Sequence, residues 1–140
     1  SSLTCGLIGY GRIGRATARK FAAFGCRVLA HDPYMPANAD GVQAVTLDEL
    51  FAQSDIVVVH APLTDGTHHL VNRERIARMR PGGLLVNVSR GAIVDTDAVI
   101  EALESGRLSG AALDVLNDRS TSIRGPLATT TFLPSSHGVG

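Results

Sequence analysis

Leu3-Thr4-Cys5-Gly6-Leu7-Ile8 runs straight into Gly9-Tyr10-Gly11-Arg12-Ile13-Gly14, and a second short apolar run, Val28 to Ala30, ends close by at Asp32. Between them lies a segment of helical period, so the order is strand, glycine-rich turn, helix, strand, acid. Each part has a task in holding a dinucleotide. Gly9 lets the chain turn sharply off the strand, Gly11 removes a side chain that would block a pyrophosphate, and Gly14 lets the helix lie close on the sheet. The phosphates would then meet free N–H groups at the positive end of the helix dipole. Asp32 follows Gly14 by 18 positions (32 − 14), near the roughly 20 at which an acid ending the second strand can accept bonds from ribose hydroxyls. A carboxylate there repels a 2′-phosphate, and no Arg or Lys stands in His31-Asp32-Pro33-Tyr34. The expected cofactor is therefore NAD rather than NADP. The glycine pattern alone is weak; the flanking strand and helix and the spaced acid make it specific.

The 140 residues suit one domain with a sizeable core. Lys and Arg total 13, as do Asp and Glu, and aromatics are 4%, so neither nucleic acid nor an anionic membrane is an expected partner. The longest apolar runs fall far short of the ~18 residues that span a bilayer, which makes a soluble, cytoplasmic location the expectation. Cys5 and Cys26 would fall on the first two strands as buried thiols rather than as a disulfide or metal site. The chain begins Ser1-Ser2 almost directly on a core strand and stops at Gly138-Val139-Gly140 without a closing helix. It reads as one domain, 1–140, cut from something larger.

From Arg12 to Phe24, helical spacing places Ile13, Ala16, Thr17, Phe21 and Phe24 near one face, with Gly25 as a stop. Pro33 and Pro36 punctuate the next loop, and Ala37 to Asp40 suits a turn of helix. Val42 to Val45 is a short strand. Thr46-Leu47-Asp48-Glu49 has capping-box spacing and opens a helix to about Gln53. Ile56 to His60 is a β-branched run that suits a parallel strand buried on both faces. Asn72 caps a helix over 73–80, closed by Pro81-Gly82-Gly83; Leu84 to Val88 is the next strand. Asp95 or Thr96 caps a helix to about Ser105, with Gly106 past its end. Leu108 to Val115 is a strand, 116–130 shows no period, and Thr131 to Leu133 is a final short strand. This alternation predicts an α/β fold, a Rossmann-type doubly wound parallel sheet with its ligand at the strands' carboxyl ends.

The polar candidates gather there. Asp32, His60, Ser89-Arg90 and Asp114 stand at or just beyond strand carboxyl ends, and His137 follows the last strand. Other clusters take plainer readings. His68-His69, near a helix start, would face different ways on a helix and have no carboxylate or Cys at ligand spacing, so no metal is expected. Arg73, Arg75, Arg78 and Arg80 read as a solvated face. For His60, contact with the cofactor and a satisfied strand-end histidine both fit.

Gly9 to Gly14 with Asp32, His60-Ala61-Pro62-Leu63-Thr64, the long stretch Met79 to Asp95 containing Val88-Ser89-Arg90-Gly91, and Gly110-Ala111-Ala112-Leu113-Asp114-Val115 resemble the D-isomer-specific 2-hydroxyacid dehydrogenases over almost the whole chain. The resemblance implies the NAD-binding domain of an oxidoreductase acting on a small 2-hydroxy or 2-oxo acid, inserted into a substrate domain that this chain lacks. The domain alone would then bind NAD weakly and turn over nothing, and the complete protein would be a homodimer. Arg90 would hold the substrate's carboxylate and carbonyl oxygen, which suits a forked, permanently charged guanidinium. His137, in Ser135-Ser136-His137-Gly138, would exchange the proton with the carbonyl oxygen. Asp114 would hold the nicotinamide carboxamide. The cofactor set implied is Gly9, Gly11, Arg12, Ile13, Gly14, Asp32, His60, Ala61, Pro62, Val88, Ser89, Arg90, Asp114, His137 and Gly140.

One position departs from the family pattern. Five residues past Asp114, where the family has a Glu that pairs with the histidine, stands Arg119. An opposite charge nearby raises a histidine pKa and a like charge lowers it. Either Asp118 supplies the carboxylate through a one-residue slip, or the pair has been lost. The second outcome would fit a rival reading, a non-catalytic, NAD(H)-responsive module of the kind found in corepressors resembling these dehydrogenases. A different two-domain NAD(P) oxidoreductase would explain Gly9 to Asp32 but not Ser89 to Asp95.

Overall fold

The computed structural model describes residues 3–35, 38–39, 41–62, 64–89, 91–114 and 130–134, with 38, 39, 114 and 130–134 by backbone alone. Strand β1 (Thr4–Ile8) leads to α1 (Arg12–Ala23) and β2 (Arg27–His31); β3 (Asn38–Ala39) and β4 (Val42–Ala44) follow, then α2 (Leu47–Gln53) and β5 (Ile56–Val59). Helix α3 (Arg73–Arg78), β6 (Gly83–Asn87), a 3-10 turn (Gly91–Ile93), α4 (Thr96–Ser105), β7 (Leu108–Asp114) and β8 (Thr130–Pro134) complete the order.

The sheet runs β3-β4-β2-β1-β5-β6-β7-β8. Six strands, β4 through β7 in that order, are parallel, and strand order reverses at β1, from which the chain winds first one way and then the other. This is the doubly wound arrangement expected. The period-2 pleat of the middle strands sorts their side chains onto two faces. Leu7 and Val58 face α1 with Cys5, Val28 and Ala30. Ile8, Val57 and Val59 face the other way, packing with Leu50, Phe51, Ile76, Leu85, Val99 and Leu103 from the side of α2, α3 and α4. Burial on both sides explains why Ile56 to Val59 is a continuous apolar run.

Local chemistry sets the helix starts as expected. Thr46 Oγ1 accepts from Glu49 N–H (3.1 Å) while Glu49 Oε1 accepts from Thr46 N–H (2.9 Å), a complete capping box. Asn72 Oδ1 accepts from Arg75 N–H, and Asp95 Oδ1 from Ala98 N–H; Gly106, at φ +83°, ends α4 in the left-handed conformation.

Three expectations are corrected. On α1 the buried residues are Gly14 and Ala18, with Thr17 and Phe21 half-buried, whereas Ile13, Ala16 and Phe24 are exposed. The small pair at i, i+4 lets the helix axis approach the sheet, and that rotation turns Ile13 outward. Residues 38–39 pair antiparallel with β4 instead of making a helical turn, so that strand supplies their backbone partners. The six-stranded parallel sheet is as expected, and β8, like β3, adds an antiparallel strand at its edge. Cys26 lies just before β2 rather than on it. Both cysteines are free thiols. Burial first, and the neighbouring Cys26 second, push the Cys5 thiol up to about 12, so it stays protonated and inert.

Candidate cofactor-binding site

Strand register builds the site. Ile8 is level with His31 on one side and Val59 on the other; Val59 is level with Asn87, and Asn87 with Leu113. The next residue on each strand therefore falls in one row along the carboxyl edge: Asp32, Gly9, His60, Val88 and Asp114. With strands about 4.8 Å apart, that row is roughly 19 Å long. Residues scattered over 106 positions (114 − 9 + 1) of sequence are thus brought to a single edge.

Gly9 turns the chain at φ +98°, and a Cβ there would lie 3.1 Å from Ala61 N and from His60 C. The glycine turn consequently rests on the 60–61 peptide, tied by Gly9 N–H to His31 O (2.9 Å) and His60 N–H to Ile8 O (2.7 Å). At Gly14 a Cβ would come 2.5 Å from Gly9 O, while at Gly11 nothing lies within 4 Å. Gly14 is needed for contact inside the protein, and Gly11 borders open space. Helix α1 has no side-chain cap and no acid in its first turn, so its positive end is left for an external anion. Arg12 and Ile13 flank that opening; Ile13 is 67% exposed. The residues present fit a pyrophosphate.

Asp32 does more than the sequence indicated. Its Oδ2 accepts from Tyr10 N–H (2.7 Å) and its Oδ1 from Tyr34 N–H (2.9 Å), so the carboxylate is clamped by the glycine turn on one side and its own loop on the other. Each oxygen keeps a second lone pair for a hydroxyl.

His60 is half-buried, and its Nε2 lies 3.4 Å from Thr17 Oγ1, which itself donates to Ile13 O (3.0 Å). That hydroxyl hydrogen being used, the network assigns the hydrogen to Nε2 as donor. Sequence reasoning missed this link because Thr17 reads only as a helix-face residue. Burial holds His60 below its usual value of 6.5. As pH falls through 6.5 the unfolded chain takes up the proton first, so stability is complete above that pH and is lost below it until the folded form also protonates. His60→Gln keeps a donor without the titration. Melting temperature should therefore fall more steeply from pH 7 to 5 in the wild type than in this variant; parallel curves would refute the assignment.

On the other half of the row, Ala61 is buried, Pro62 exposed, Val88 47% exposed and Ser89 half-buried. Val88 N–H and Ser89 Oγ both donate to Val59 O (3.1 Å each). Asn87, buried in an apolar strand, accepts from Ser89 N–H (2.9 Å); the polar break in Leu84 to Val88 was its only signal. Farther on, His69 N–H donates to Ala92 O (2.9 Å). His68 and His69 lie in the turn that precedes α3 and its cap Asn72, and the φ of +51° at His69 accompanies rings stacked at 4.1 Å. Among the described residues no group of three or more His, Cys, Asp or Glu could hold a metal. Arg73 pairs with Glu101 (2.8 Å), Arg75 and Arg78 with Asp48, and Arg80 with Asp55 (3.4 Å), a solvated ion-pair face.

Arg90, Asp118, Arg119, His137 and Gly140 lie outside the described residues. Asp114 ends β7 at the site edge. Strand β8 starts opposite Asp114 and ends with Pro134 opposite Gly110. Its carboxyl end thus points away from the row.

A six-stranded parallel sheet of this order, with an open glycine turn and an acid at the end of the second strand, defines a dinucleotide-binding domain. The sequence of residues 1–136 matches the family model for the D-isomer specific 2-hydroxyacid dehydrogenase NAD-binding domain. It is 51% identical over 114 residues, 81% of this chain and 34% of the relative, to the D-specific alpha-keto acid dehydrogenase of Enterococcus faecalis. Against hydroxypyruvate reductase of Thermotoga maritima it is 45% identical over 80% of this chain and 37% of that protein. The structure of Aquifex aeolicus D-lactate dehydrogenase complexed with NAD and lactic acid superposes with a TM-score of 0.78 at 43% identity, covering 84% of this chain and 36% of that one. The chain belongs to the D-isomer-specific 2-hydroxyacid dehydrogenase family and is its NAD-binding domain. It spans about a third of the length of the curated relatives it matches.

Proposed function

We propose that the protein containing this domain moves a hydride between NAD(H) and C2 of a small D-2-hydroxy or 2-oxo acid. The observation that carries the reading is the row Asp32, Gly9, His60, Val88 and Asp114, which gives an extended dinucleotide a cradle at its phosphates, an acid at each end, and Ser89 following from the same edge. NAD, when bound, supplies the hydride donor or acceptor at its nicotinamide ring. The turn of Gly9, Gly11 and Gly14, with Arg12 and Ile13, holds the pyrophosphate; Asp32 accepts from the adenosine ribose. His60, Ala61, Pro62, Val88 and Ser89 line the cleft, and Asp114 orients the carboxamide. Arg90 anchors the substrate's carboxylate and carbonyl oxygen. His137 gives its proton to that oxygen during reduction and takes one back during oxidation, with Asp118 as the carboxylate favouring its protonated form and Arg119 opposing it. A homodimer in the cytoplasm, acting on small acids, completes the reading on the family resemblance, and the balanced charge favours such acids over nucleic acid or an anionic membrane as partners.

Titration with NADH and NADPH, followed by nicotinamide fluorescence, tests the cofactor half. Asp32 leaves a 2′-phosphate facing a carboxylate, so NADH is expected to bind at least tenfold more tightly. Tighter NADPH would overturn the assignment. Asp32→Ser should lose affinity for both, because the clamp on Tyr10 and Tyr34 goes with the charge.

A further inference from the structure

We propose that Asn87 is a positioning residue that sets the point from which Arg90 reaches the substrate; this rests on the reading of Arg90 as the substrate anchor. Asn87 ends β6, level with Val59 of β5 and Leu113 of β7. By the period of the strand it shares a face with Leu85, which is fully buried in the core on the side of α2, α3 and α4. An apolar residue would suit that place, since a buried amide costs free energy unless its polar atoms are bonded. Asn87 is only 2% exposed, so it does not reach the cleft itself. Its action is local instead. Its Oδ1 accepts from Ser89 N–H (2.9 Å), two residues on, and this side-chain turn bends the chain off the end of the strand.

Hydrogen bonds hold the chain on both sides of position 90. Before it, Val88 N–H and Ser89 Oγ both donate to Val59 O, and Asn87 takes Ser89 N–H. After it, the 3-10 turn Gly91–Ile93 is closed by Val94 N–H donating to Gly91 O (3.0 Å). The same turn is tied to the neighbouring segment by His69 N–H to Ala92 O (2.9 Å) and Val71 N–H to Ile93 O (3.0 Å). His69 makes its bond at φ +51°, a conformation that side chains other than glycine's disfavour. Two fixed flanks define where the side chain at position 90 begins. A guanidinium that grips a carboxylate through two bonds needs that definition, because a misplacement of about 1 Å can cost about 100-fold in rate. The bond from Asn87 is the one that a substitution can remove while residues 88 and 89 stay on Val59.

In the complete protein, Asn87→Leu keeps the branched shape and removes the acceptor. KM for a 2-oxo acid should rise about tenfold while the dissociation constant of NADH stays within about threefold, because Val59 O still holds residues 88 and 89. Asn87→Ala, which cannot overpack the site, should do the same. Added to Arg90→Lys, Asn87→Leu should raise KM less than about threefold beyond Arg90→Lys alone, since a residue that acts through the guanidinium loses its effect once the guanidinium is gone. The inference is overturned if KM stays within about twofold of the wild type in both Asn87 variants, or if the two effects multiply in full in the double variant. It is overturned equally if NADH affinity and melting temperature fall together in both Asn87 variants, which would make Asn87 a structural residue. An unchanged KM in Arg90→Lys would remove the reading of Arg90 and the inference with it; an unchanged KM in the Asn87 variants alone leaves that reading standing.

Discussion

Gly14→Ala should destabilise the domain by roughly 0.5–2 kcal/mol, the overpacking cost less the helix-propensity gain, and weaken NADH binding by at least tenfold. Two effects oppose each other at this position. In an unconstrained helix, alanine is favoured over glycine by roughly 0.5–1 kcal/mol. Here the new Cβ would stand 2.5 Å from Gly9 O, a backbone atom. It cannot turn aside as a flexible side chain would, since Gly9 is itself fixed by His31 O and pressed on the 60–61 peptide. Overpacking against an immobile neighbour costs about 1–3 kcal/mol, so the clash outweighs the propensity. Relief requires α1 to move off the turn, which shifts the N–H groups that would face the pyrophosphate, so stability and cofactor affinity should fall together. Gly11→Ala is the control: its Cβ meets open space, so the fold should tolerate it and only the affinity should drop. Thermal melts and NADH titrations of both variants check this. A Gly14→Ala protein as stable as the wild type would mean that α1 does not depend on this contact.

Arg90→Lys in the complete protein should raise KM for a 2-oxo acid about 10- to 100-fold while leaving the dissociation constant of NADH within about threefold. Lysine keeps the charge but replaces the guanidinium fork by a single point donor, and a hydrogen bond to a charged group contributes about 1.5–3 kcal/mol. Loss of one of two such bonds gives that range at 1.4 kcal/mol per tenfold. Steady-state kinetics beside NADH titration separates the terms. An unchanged KM would remove Arg90 from the substrate site; a parallel loss of NADH affinity would move it to the cofactor.

Some of this was legible before any coordinates. The Thr46–Glu49 box, the Asn72 and Asp95 caps and the glycine turn are short-range chemistry, in which a side chain bonds a backbone three residues away, and the spacing carries the whole instruction. The row at the carboxyl edge was legible because parallel strands connected by helices must end on one side. The face of α1 was not, because Gly14 and Ala18 contribute almost no hydrophobic signal while Ile13 and Phe24 contribute a strong one that the fold leaves in solvent. The direction of β8 was not either: Thr131 to Leu133 is equally apolar read both ways, and only its pairing with β7 decides. The Tyr10 half of the clamp on Asp32 and the contact of His60 with Thr17 join residues 22 and 43 positions apart, beyond any local pattern. Arg119 remains the sequence's sharpest departure from the family, although nothing in the relatives compared supports the non-catalytic module it suggested.

The most direct measurement is consumption of NADH by the complete protein with a panel of small 2-oxo acids, read at 340 nm with chiral analysis of the product. Oxidation of NADH with at least one of them, yielding the D-hydroxy acid and stopping when Arg90 or His137 is replaced by alanine, is the predicted result. Tight NADH binding without turnover of any acid, or an L product, would contradict it.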